Sequence, residues 1–263
     1  MITDDNIREY VEKYLENPED LPQNLRNISN WDVSSVTNMN ALFLNANKFN
    51  QPLNWKVLNV KNMSRMFEGA ISFDQPLNWD VDNVKDMSGM FNRAISFDQP
   101  LNGWKVLNVE NMSGMFNGAT SFNQPLDNWD VSRVKDMSDM FNGATSFDQP
   151  LNDWDVSKVE NMDYMFADAT SFDQPLDKWD ISNVESMTDM FEGATKFDQN
   201  ETLIKWGVID EADIAPQQGG KIKKNMKNRR KKSMKKRVKK IMKNRRKKTI
   251  KNRRKKSKNY LFL

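Results

Sequence analysis

The side chains that could do chemistry in this chain are carboxylates, lysines, arginines, tyrosines and hydroxyls, because its 263 residues include no cysteine and no histidine. This composition excludes disulfides, thiolate or imidazole metal sites, cysteine nucleophiles and any histidine general base. What remains is oxygen-ligand or acid–base chemistry by Asp and Glu, and phosphate binding by Lys and Arg. The spacing of the acidic and basic residues along the chain indicates which of these two kinds of chemistry to expect.

One column of charged residues follows the tryptophans. The residue after each Trp is Asp32, Lys56, Asp80, Lys105, Asp130, Asp155 or Asp180. The first five alternate in sign and can pair, whereas three successive Asp could hold a cation such as Ca²⁺. Known Ca²⁺ loops need closer and more varied oxygen ligands, so a solvated surface is the favoured interpretation. The chain also lacks the GxGxxG and P-loop motifs. We expect no metal, no cofactor and no enzyme activity.

Positive charge is concentrated at the carboxyl end. Residues 221–263 hold 24 Lys and Arg and no acidic residue, which leaves 16 basic and 36 acidic residues in 1–220. The net charge of +4 is therefore the sum of −20 and +24. An eight-residue motif repeats four times from Met226 to Ser257. Eight residues advance about 80° past two helical turns, so its apolar positions do not line one face. Self-repulsion predicts a disordered tail.

The basic runs of the tail suit phosphate backbones, which Lys and Arg neutralise without reading sequence. The predicted polyanion-binding residues are Lys227, Arg229, Arg230, Lys231, Lys232, Lys243, Arg245, Arg246, Lys247, Lys248, Arg253 and Arg254. Nucleic acid is the favoured partner. A nuclear-localisation signal, an anionic membrane surface reached with the apolar residues 260–263, the acidic body of the same chain, and a low-complexity expansion without a selected role stay open.

The rest of the chain is a repeat array. Trp recurs at positions 31, 55, 79, 104, 129, 154, 179 and 206, within the consensus W-D-V-S-x-V-x-x-M-S-x-M-F-x-G-A-T-S-F-D-Q-P-L. Seven units run from Trp31 to about Gln199, and 206–208 begins an eighth that is cut short. A unit of 24–25 residues cannot bury its own apolar face, so stacking is predicted. The predicted stacking core in two successive units is Trp79, Met87, Phe91, Phe97, Trp104, Met112, Phe116 and Phe122.

Each unit is predicted to hold two short extended segments, around Pro-Leu-x-x-Trp and Val-x-x-Met, and a helical or 3₁₀ turn at Met-Phe-x-Gly-Ala. The glycine would end that turn in a left-handed conformation at Gly69, Gly118, Gly143 and Gly193, with Arg93 and Asp168 in the same place. The Gln column that runs from Gln51 to Gln199 and the Asn/Asp column that starts at Asn38 are predicted to hydrogen-bond to turns of neighbouring units. A row of ligands is the alternative.

The chain is predicted to divide into four parts: 1–30, an N-terminal helix and cap; 31–208, the solenoid; 209–220, a linker; and 221–263, the tail. Thr3 to Glu16 has the pattern of an amphipathic helix, with Thr3 as N-cap, that covers the first unit or docks a partner. No apolar run approaches the roughly 18 residues of a membrane span. Met1 to Asp5 lacks the features of a signal peptide.

The unit W-D-V-S-x-V-x-x-M-x-x-M-F closely resembles the repeat of the BspA-like leucine-rich-repeat surface proteins, in particular the family abundant in mycoplasma lipoproteins, over about Asn27 to Val208. Related arrays also occur in giant amoebal DNA viruses. The resemblance implies a leucine-rich-repeat-like solenoid that acts in adhesion or protein interaction, without enzyme activity. Because this chain lacks a lipobox Cys and carries a basic tail, an intracellular location is expected, cytoplasmic or nuclear through the tail.

Positions that vary between units are the best candidates for partner specificity. In one column stand Arg65, Gly89, Gly114, Asp139, Tyr164 and Asp189. Arg65, Asp139 and Tyr164 are the partner-facing candidates, with neutral drift as the alternative. The sequence thus predicts a protein-interaction scaffold with a polyanion-binding tail. An adhesion or host-interaction protein, whose tail is a targeting signal or an intramolecular partner, is the alternative. The protein partner and the oligomeric state stay open.

Overall fold

The computed structural model describes residues 1–207. Helix α1 spans Ile7–Glu16 and helix α2 spans Asn200–Lys205, and three 3₁₀ turns follow α1 at Pro18–Asp20, Gln23–Leu25 and Ile28–Asn30. Between these elements, from residue 31 to residue 199, the backbone consists of turns and irregular segments, with neither a helix nor an extended strand. We number the seven units by their tryptophans, from unit 1 at Trp31 to unit 7 at Trp179.

Successive units lie directly over one another, so that identical aromatic residues stack. Trp rings stack at 6.1–6.5 Å between centroids from Trp31 to Trp104 and again from Trp129 to Trp206, as between Trp31 and Trp55 and between Trp154 and Trp179. Within each unit two Phe rings stack at 4.0–4.3 Å, and each Phe also stacks on its counterpart in the next unit. Such aromatic pairs contribute about 0.5–1.5 kcal/mol beyond their burial. Stacking therefore supplies the interior that no single unit has.

The structure places all eight predicted stacking residues in this interior. Trp79 and Trp104 are 5% and 4% exposed, and the other six, Met87, Phe91, Phe97, Met112, Phe116 and Phe122, are fully buried. The indole N–H of each of these Trp donates to a leucine carbonyl, at 3.1 Å from Trp79 Nε1 to the Leu53 oxygen and at 3.0 Å from Trp104 to Leu77. A buried Trp needs such a partner for its polar atom.

Backbone hydrogen bonds join the units through alternate residues. In unit 3 the amides of Met87, Gly89, Phe91 and Arg93 donate to carbonyls of unit 4 at 2.6–3.0 Å, as from Phe91 N to Met115 O at 2.8 Å. The amides between them close turns within the unit, as from Met90 N to Met87 O. The one position per unit that pairs as in a parallel sheet is the Asn/Asp column, beginning with Asn38 and Asn62. The predicted extended segment at Val-x-x-Met is thus reduced to a single-residue bridge.

The helical or 3₁₀ turn predicted at Met-Phe-x-Gly-Ala does not form in these units. Two residues in each unit, four positions apart, have a positive φ, as at Gly89 (φ 61°) and Arg93 (φ 56°). A left-handed residue interrupts a right-handed helix. In the turn from Met87 to Met90 the third residue alone has a positive φ, which defines a type II β-turn. Overlapping β-turns therefore replace the helix.

The left-handed conformation predicted for the glycine of this segment is confirmed. Gly69, Gly118, Gly143 and Gly193 have φ values of 70°, 68°, 68° and 73°. Arg93 and Asp168, which replace the glycine, keep it at 56° and 54°. Gly69 is also required for space, because a Cβ built there would collide with the Asn45 Oδ1 atom of the preceding unit.

Helix α1 covers the first unit. The rings of Tyr10 and Tyr14 stand edge-on to Trp31 at 6.4 and 6.1 Å, and Ile7 and Val11 are buried. The helix begins later than the sequence predicts, because Asn6 and not Thr3 precedes its first residue. The amphipathic face is nevertheless the one that packs against the array.

Asp4 ties this cap to unit 1 by hydrogen bonding to its backbone. Its carboxylate accepts the Thr37 amide at 2.7 Å, the Asn38 amide at 3.0 Å and the Thr37 hydroxyl at 2.6 Å. Partial burial raises the pKa of Asp4, but these hydrogen bonds outweigh it and hold the pKa below its ordinary value. Asp4 therefore fastens the cap in its ionised form.

Helix α2 follows unit 7 where the Pro-Leu segment of a regular unit would lie. Its Thr202 is fully buried, and the Thr202 hydroxyl accepts the Leu176 amide at 2.9 Å. Trp206 stacks on Trp179 at 6.3 Å, but its indole N–H has no hydrogen-bond acceptor among residues 1–207. Trp206 continues the Trp column without the hydrogen bond of the regular units.

Candidate interaction surface

The Asn/Asp column caps the turns of its own units. The Oδ1 atom of Asn62 accepts the Ser64 amide at 2.8 Å, and Asp86 accepts the Ser88 amide at 2.9 Å. This is the Asx turn, in which a side-chain oxygen accepts the amide two residues on. The prediction that these side chains bond to neighbouring units was wrong for this column, because the nearer amide within the same unit takes the acceptor.

The Asn/Asp column is interrupted in unit 7, and a carboxylate of unit 6 supplies the missing hydrogen-bond acceptor. Ser186 stands where an Asn or Asp stands elsewhere, and its short hydroxyl leaves the Thr188 amide to another acceptor. Asp163 of unit 6 supplies that acceptor: its Oδ1 receives both the Thr188 amide and the Ser186 hydroxyl. Units 2 to 5 carry Ser at the position of Asp163. Asp163 and Ser186, the two residues that depart from the consensus, are therefore joined by a hydrogen bond.

The Gln column does join neighbouring units, as predicted. Gln99 Nε2 donates to Asp74 Oδ1 of the preceding unit at 2.9 Å, and Gln124 donates to Asp98 at 3.0 Å. The same Asp74 oxygen accepts the Asp98 amide at 3.0 Å. Each of these Asp or Asn side chains therefore satisfies two donors of the next unit. These side chains build the stack instead of forming a row of ligands.

The three stacked Asp that could hold a cation also close turns. Asp130 and Asp155 each accept the amide two residues on at 3.0 Å, and Asp180 does so at 2.9 Å. Hydrogen bonds from Ser157 lower the pKa of Asp155. Lys105 pairs with Asp82 at 3.8 Å and not with a neighbour in its column. Across residues 1–207 no group of three acidic side chains is arranged to hold a metal ion.

The outward side of the β-turn segment forms one surface, which we call the turn face. It consists of positions 10, 13 and 14 after each Trp, occupied in unit 2 by Arg65, Glu68 and Gly69. Its charged and aromatic side chains are exposed or half-buried, whereas Gly69, Gly89 and Ala167 are buried beneath their neighbours. A Cβ built at Gly89 would lie 3.3 Å from Arg65 Cγ and 3.9 Å from Asn92 Cβ, so neighbouring columns and units are in contact. The turn face is therefore continuous along the array.

All three partner-facing candidates lie in one column of the turn face. Arg65, Asp139 and Tyr164 have φ values of 58°, 56° and 57°, and Gly89 and Gly114 in the same column have 61° and 60°. The column varies in side chain but not in backbone conformation, which sequence reasoning missed. Glycine alternating with aspartate is the available signal, because both residues tolerate positive φ.

The three candidates differ in their contacts. Arg65 Nε pairs with Glu68 Oε2 at 2.6 Å, and Asp139 Oδ1 accepts the Asn142 side-chain amide at 2.7 Å. Tyr164 has its backbone fixed by donation to the Thr188 carbonyl at 2.9 Å, and 39% of its surface is exposed. A bulky residue in the left-handed region costs about 1–2 kcal/mol relative to glycine. An exposed aromatic residue is thus held at a strained position.

Charge is distributed unevenly along the array. Residues 31–128 hold nine acidic and seven basic residues, whereas 129–199 hold 16 acidic and five basic residues. On the turn face the net charge changes sign: Arg65, Glu68 and Arg93 precede unit 4, and Asp139 and Asp168 follow it. The array therefore presents different chemistry at its two ends over the same interior.

Units 2 and 4 depart from consensus on a second exposed column. Lys56 and Leu58 in unit 2, and Lys105 and Leu107 in unit 4, replace the Asp-x-Ser pair that forms a hydrogen-bonded turn in units 1, 5, 6 and 7. Leu58 is 50% exposed and Leu107 is 42% exposed. In these two units the hydrogen bond that closes the Asp-x-Ser turn is therefore absent, and basic and apolar side chains are exposed in its place.

The twelve predicted polyanion-binding residues, from Lys227 to Arg254, lie outside the described residues. Within 1–207 no helix is both long enough and apolar enough to cross a membrane.

The repeat identifies the family. The chain matches the family model described as "Mycoplasma protein of unknown function, DUF285" over residues 16–129 and again over 99–206. The chain belongs to this family. It is the BspA-like mycoplasma repeat family, so the resemblance of the repeat is confirmed. No curated protein and no solved structure matches the chain.

Proposed function

We propose that this member of the family is a non-enzymatic scaffold: a leucine-rich-repeat-like solenoid that binds a protein partner through its turn face and a polyanion through its basic tail. The observation that carries the proposal is the division of each unit into fixed buried columns and varied exposed columns. Fixed columns are needed for stacking, whereas varied exposed columns are free to match a partner.

Two features support the leucine-rich-repeat-like architecture. Units of 24–25 residues stack with parallel register, and each contributes one bridge at the same position, from Asn38 and Asn62 to Asn161 and Ser186. This bridge stands where a leucine-rich repeat has its short strand. The overlapping β-turns that follow it take the place of the helical segment.

The engagement of the carboxylates supports a non-enzymatic role. Asp86, Asp98 and Asp155 each accept backbone amides that the stacked turns would otherwise leave unsatisfied. A carboxyl group that acts as a general acid or base works best when its pKa is raised towards the working pH. Hydrogen bonds move the pKa of Asp155 in the opposite direction, which keeps it ionised.

The basic tail supports binding to a polyanion, with nucleic acid as the favoured one. Its 24 positive charges occur without one acidic residue, in runs such as 227–232. Each phosphate contact lowers the logarithm of the binding constant by about 0.9 per tenfold increase in salt for duplex DNA. Binding by the tail therefore predicts a steep dependence on salt, without base specificity.

Binding of duplex RNA and DNA by the full-length chain across a salt series tests the proposal. The tail variant changes Arg229, Arg230, Arg245, Arg246, Arg253 and Arg254 to Gln, and the matched control changes the exposed array residues Lys48, Lys56, Lys61, Lys85, Lys158 and Lys196 to Gln. We expect the tail variant to lose affinity and salt slope and the control to keep both. Equal binding by the two variants would contradict the proposal.

Vesicles containing anionic phospholipid form a further arm of that experiment. Tight binding to vesicles, with weak binding to RNA and DNA at the same salt concentration, would replace nucleic acid by a membrane surface as the target of the tail. Equal loss of vesicle and nucleic-acid binding in the tail variant would indicate general polyanion recognition.

The second candidate function is surface adhesion, which family membership favours. We favour an intracellular location, cytoplasmic or nuclear, and the source of the chain in a giant virus stays a prediction. Cell fractionation, with immunolabelling of intact and permeabilised cells, separates the two functions. Labelling of intact cells would support adhesion and contradict the intracellular scaffold.

A further inference from the structure

The turn face is polar along the array axis. Arg65 and Arg93, in units 2 and 3, are exposed on it, and Asp168 in unit 6 is exposed and Asp139 in unit 5 half-buried. Unit 4, between them, has no charged residue at positions 10, 13 and 14, where it carries Gly114, Asn117 and Gly118. Glu68, which is ion-paired with Arg65, is the one acidic residue at these positions in units 2 and 3, so their net charge is still positive. A surface with net positive charge on one side of a neutral centre and negative charge on the other is complementary to its own reversed copy.

The sizes of the side chains follow the same symmetry. A twofold axis through unit 4, perpendicular to the array, brings unit 2 of one copy opposite unit 6 of the other and unit 3 opposite unit 5. The facing positions are then Arg65 with Tyr164, Glu68 with Ala167, Gly69 with Asp168, Gly89 with Asp139, Asn92 with Asn142, Arg93 with Gly143, and Gly114, Asn117 and Gly118 each with itself. In this register no two acidic residues and no two basic residues share a facing position.

We propose that two copies of this chain associate antiparallel through their turn faces, about a twofold axis at unit 4. An interface of this symmetry must be self-complementary, because each residue meets its partner twice. The turn face of units 2 to 6 meets this condition in charge and in size, since its charged side chains face a glycine, an alanine or an aromatic ring.

Two contacts, each formed twice, carry the interface. Arg65 lies opposite the ring of Tyr164, which suits a cation–π contact, and Asp168 in the same facing unit supplies a counter-charge. Arg93 lies opposite the unit that carries Asp139, with Gly143 leaving space for its side chain. Arg and Tyr are enriched at the centres of protein interfaces.

A second copy fits this surface better than the basic tail of the same chain does. The tail would match Asp139 and Asp168 but would leave Arg65 and Arg93 facing a like charge. A second copy satisfies both ends of the turn face at once. It also gives a role to Tyr164, which keeps a strained left-handed conformation in a column where Gly89 and Gly114 relieve that strain.

Reciprocal charge exchange in the full-length chain tests the dimer. One variant carries Arg65→Asp and Arg93→Asp, and the other carries Asp139→Arg and Asp168→Arg. Each change introduces a residue that the same column already holds in another unit, so the β-turns tolerate it. Sedimentation velocity over a range of concentrations measures the dimerisation constant.

We expect the wild-type chain to dimerise, and each variant alone to dimerise at least about tenfold more weakly because like charges then face each other. An equimolar mixture of the two variants should recover most of the lost affinity, since the charged residues of facing units are again opposite in sign, although only one of the two Arg65–Tyr164 contacts is restored. The control Lys56→Asp with Lys105→Asp makes the same change in net charge as Arg65→Asp with Arg93→Asp, but outside the turn face, and should dimerise like the wild type.

Four results would overturn the proposal. A monomeric wild-type chain over the whole concentration range would do so directly. Variants that dimerise as tightly as the wild type would place any interface elsewhere. Failure of the mixture to recover, with both variants shown to be folded by circular dichroism, would exclude the antiparallel pairing of units 2 and 3 with units 5 and 6. Weakening of the control to the same extent would show that net charge alone controls association.

Discussion

Residues 31–128 and 129–199 have the same interior but different surfaces. The same Trp, Met and Phe columns are buried in both regions, with ring spacings that agree within a few tenths of an ångström. The first region is nearly balanced in charge, whereas the second has 16 acidic and five basic residues. Positions that pack on their own copies above and below are constrained, and positions that face outward are free to differ.

This difference places stability in the buried columns and motivates the proposal that partners bind the exposed ones. Backbone strain, in contrast, is present on the turn face of both regions. Arg65 and Arg93 hold left-handed positions in the balanced region, and Asp139 and Tyr164 hold them in the acidic region. Residues in sparsely populated backbone regions persist where the surroundings fix them, and they cluster at functional sites.

The largest expected effect tests whether the interiors are equivalent. Phe91→Ala and Phe141→Ala each remove a fully buried ring that stacks on three other Phe rings. Each should lower the free energy of unfolding by about 3–5 kcal/mol. Urea unfolding followed by Trp fluorescence measures both. Similar losses support one continuous interior, and a loss confined to one variant would show that the two regions are held together differently.

A smaller effect is expected from glycines of the turn face. Gly114→Ala meets open space, apart from Asn117 Cβ at 3.9 Å, and should lose about 1–2 kcal/mol through the left-handed backbone alone. Gly69→Ala should lose more, because the new Cβ also collides with Asn45 Oδ1. The midpoint temperatures of thermal unfolding show which of the two variants is less stable. A Gly69 variant as stable as the Gly114 variant would contradict the close approach of units 1 and 2.

The pair formed by Asp163 and Ser186 sharpens the comparison inside the acidic region. Asp163→Ser removes the acceptor of the exposed Thr188 amide and should lower the free energy of unfolding by about 0.5–1.5 kcal/mol. Adding Ser186→Asn restores the arrangement of the other units and should recover most of the loss. A double-mutant cycle measures this coupling. Strictly additive losses would show that the two departures from consensus are independent.

The smallest effect concerns the attachment of α1. Because the pKa of Asp4 is lower in the folded chain, its contribution to stability is complete above the ordinary pKa and is lost as the pH falls through the folded value. Acidification below about pH 4 should therefore loosen the cap, in a window set by a carboxyl with an ordinary value near that pH. The Asp4→Asn variant should lose this dependence. NMR signals of Tyr10, Tyr14 and Trp31 follow the cap, and an unchanged acid transition in the variant would contradict the role of Asp4.

The periodicity of Trp, Met and Phe was sufficient to predict the stack and its buried residues, because identical side chains at a fixed interval can bury themselves only by packing on their copies. It could not predict the path of the backbone. Met-Phe-x-Gly-Ala has helical spacing, yet Arg65 and Arg93 adopt a left-handed conformation that only the hydrogen bonds to the next unit impose.

The candidate surface was predicted in part. Variation between units singled out the column of Arg65, Asp139 and Tyr164, but their shared strain required the structure. The hydrogen bond between Asp163 and Ser186 could not be predicted from the sequence either, because the two residues lie 23 positions apart in the chain and meet through one carboxylate oxygen. Polar partners across units depend on side-chain reach, which periodicity does not specify.

The central claim is that one continuous interior supports two different surfaces, and amide hydrogen exchange of the full-length chain tests it most directly. The Phe91 and Phe141 amides each donate to the next unit at 2.8 Å, one in each region. We predict slow exchange at both amides, with protection free energies that agree within about 1 kcal/mol, because the same stack must open in either case. Strong protection in 31–128 with rapid exchange in 129–199 would contradict the claim.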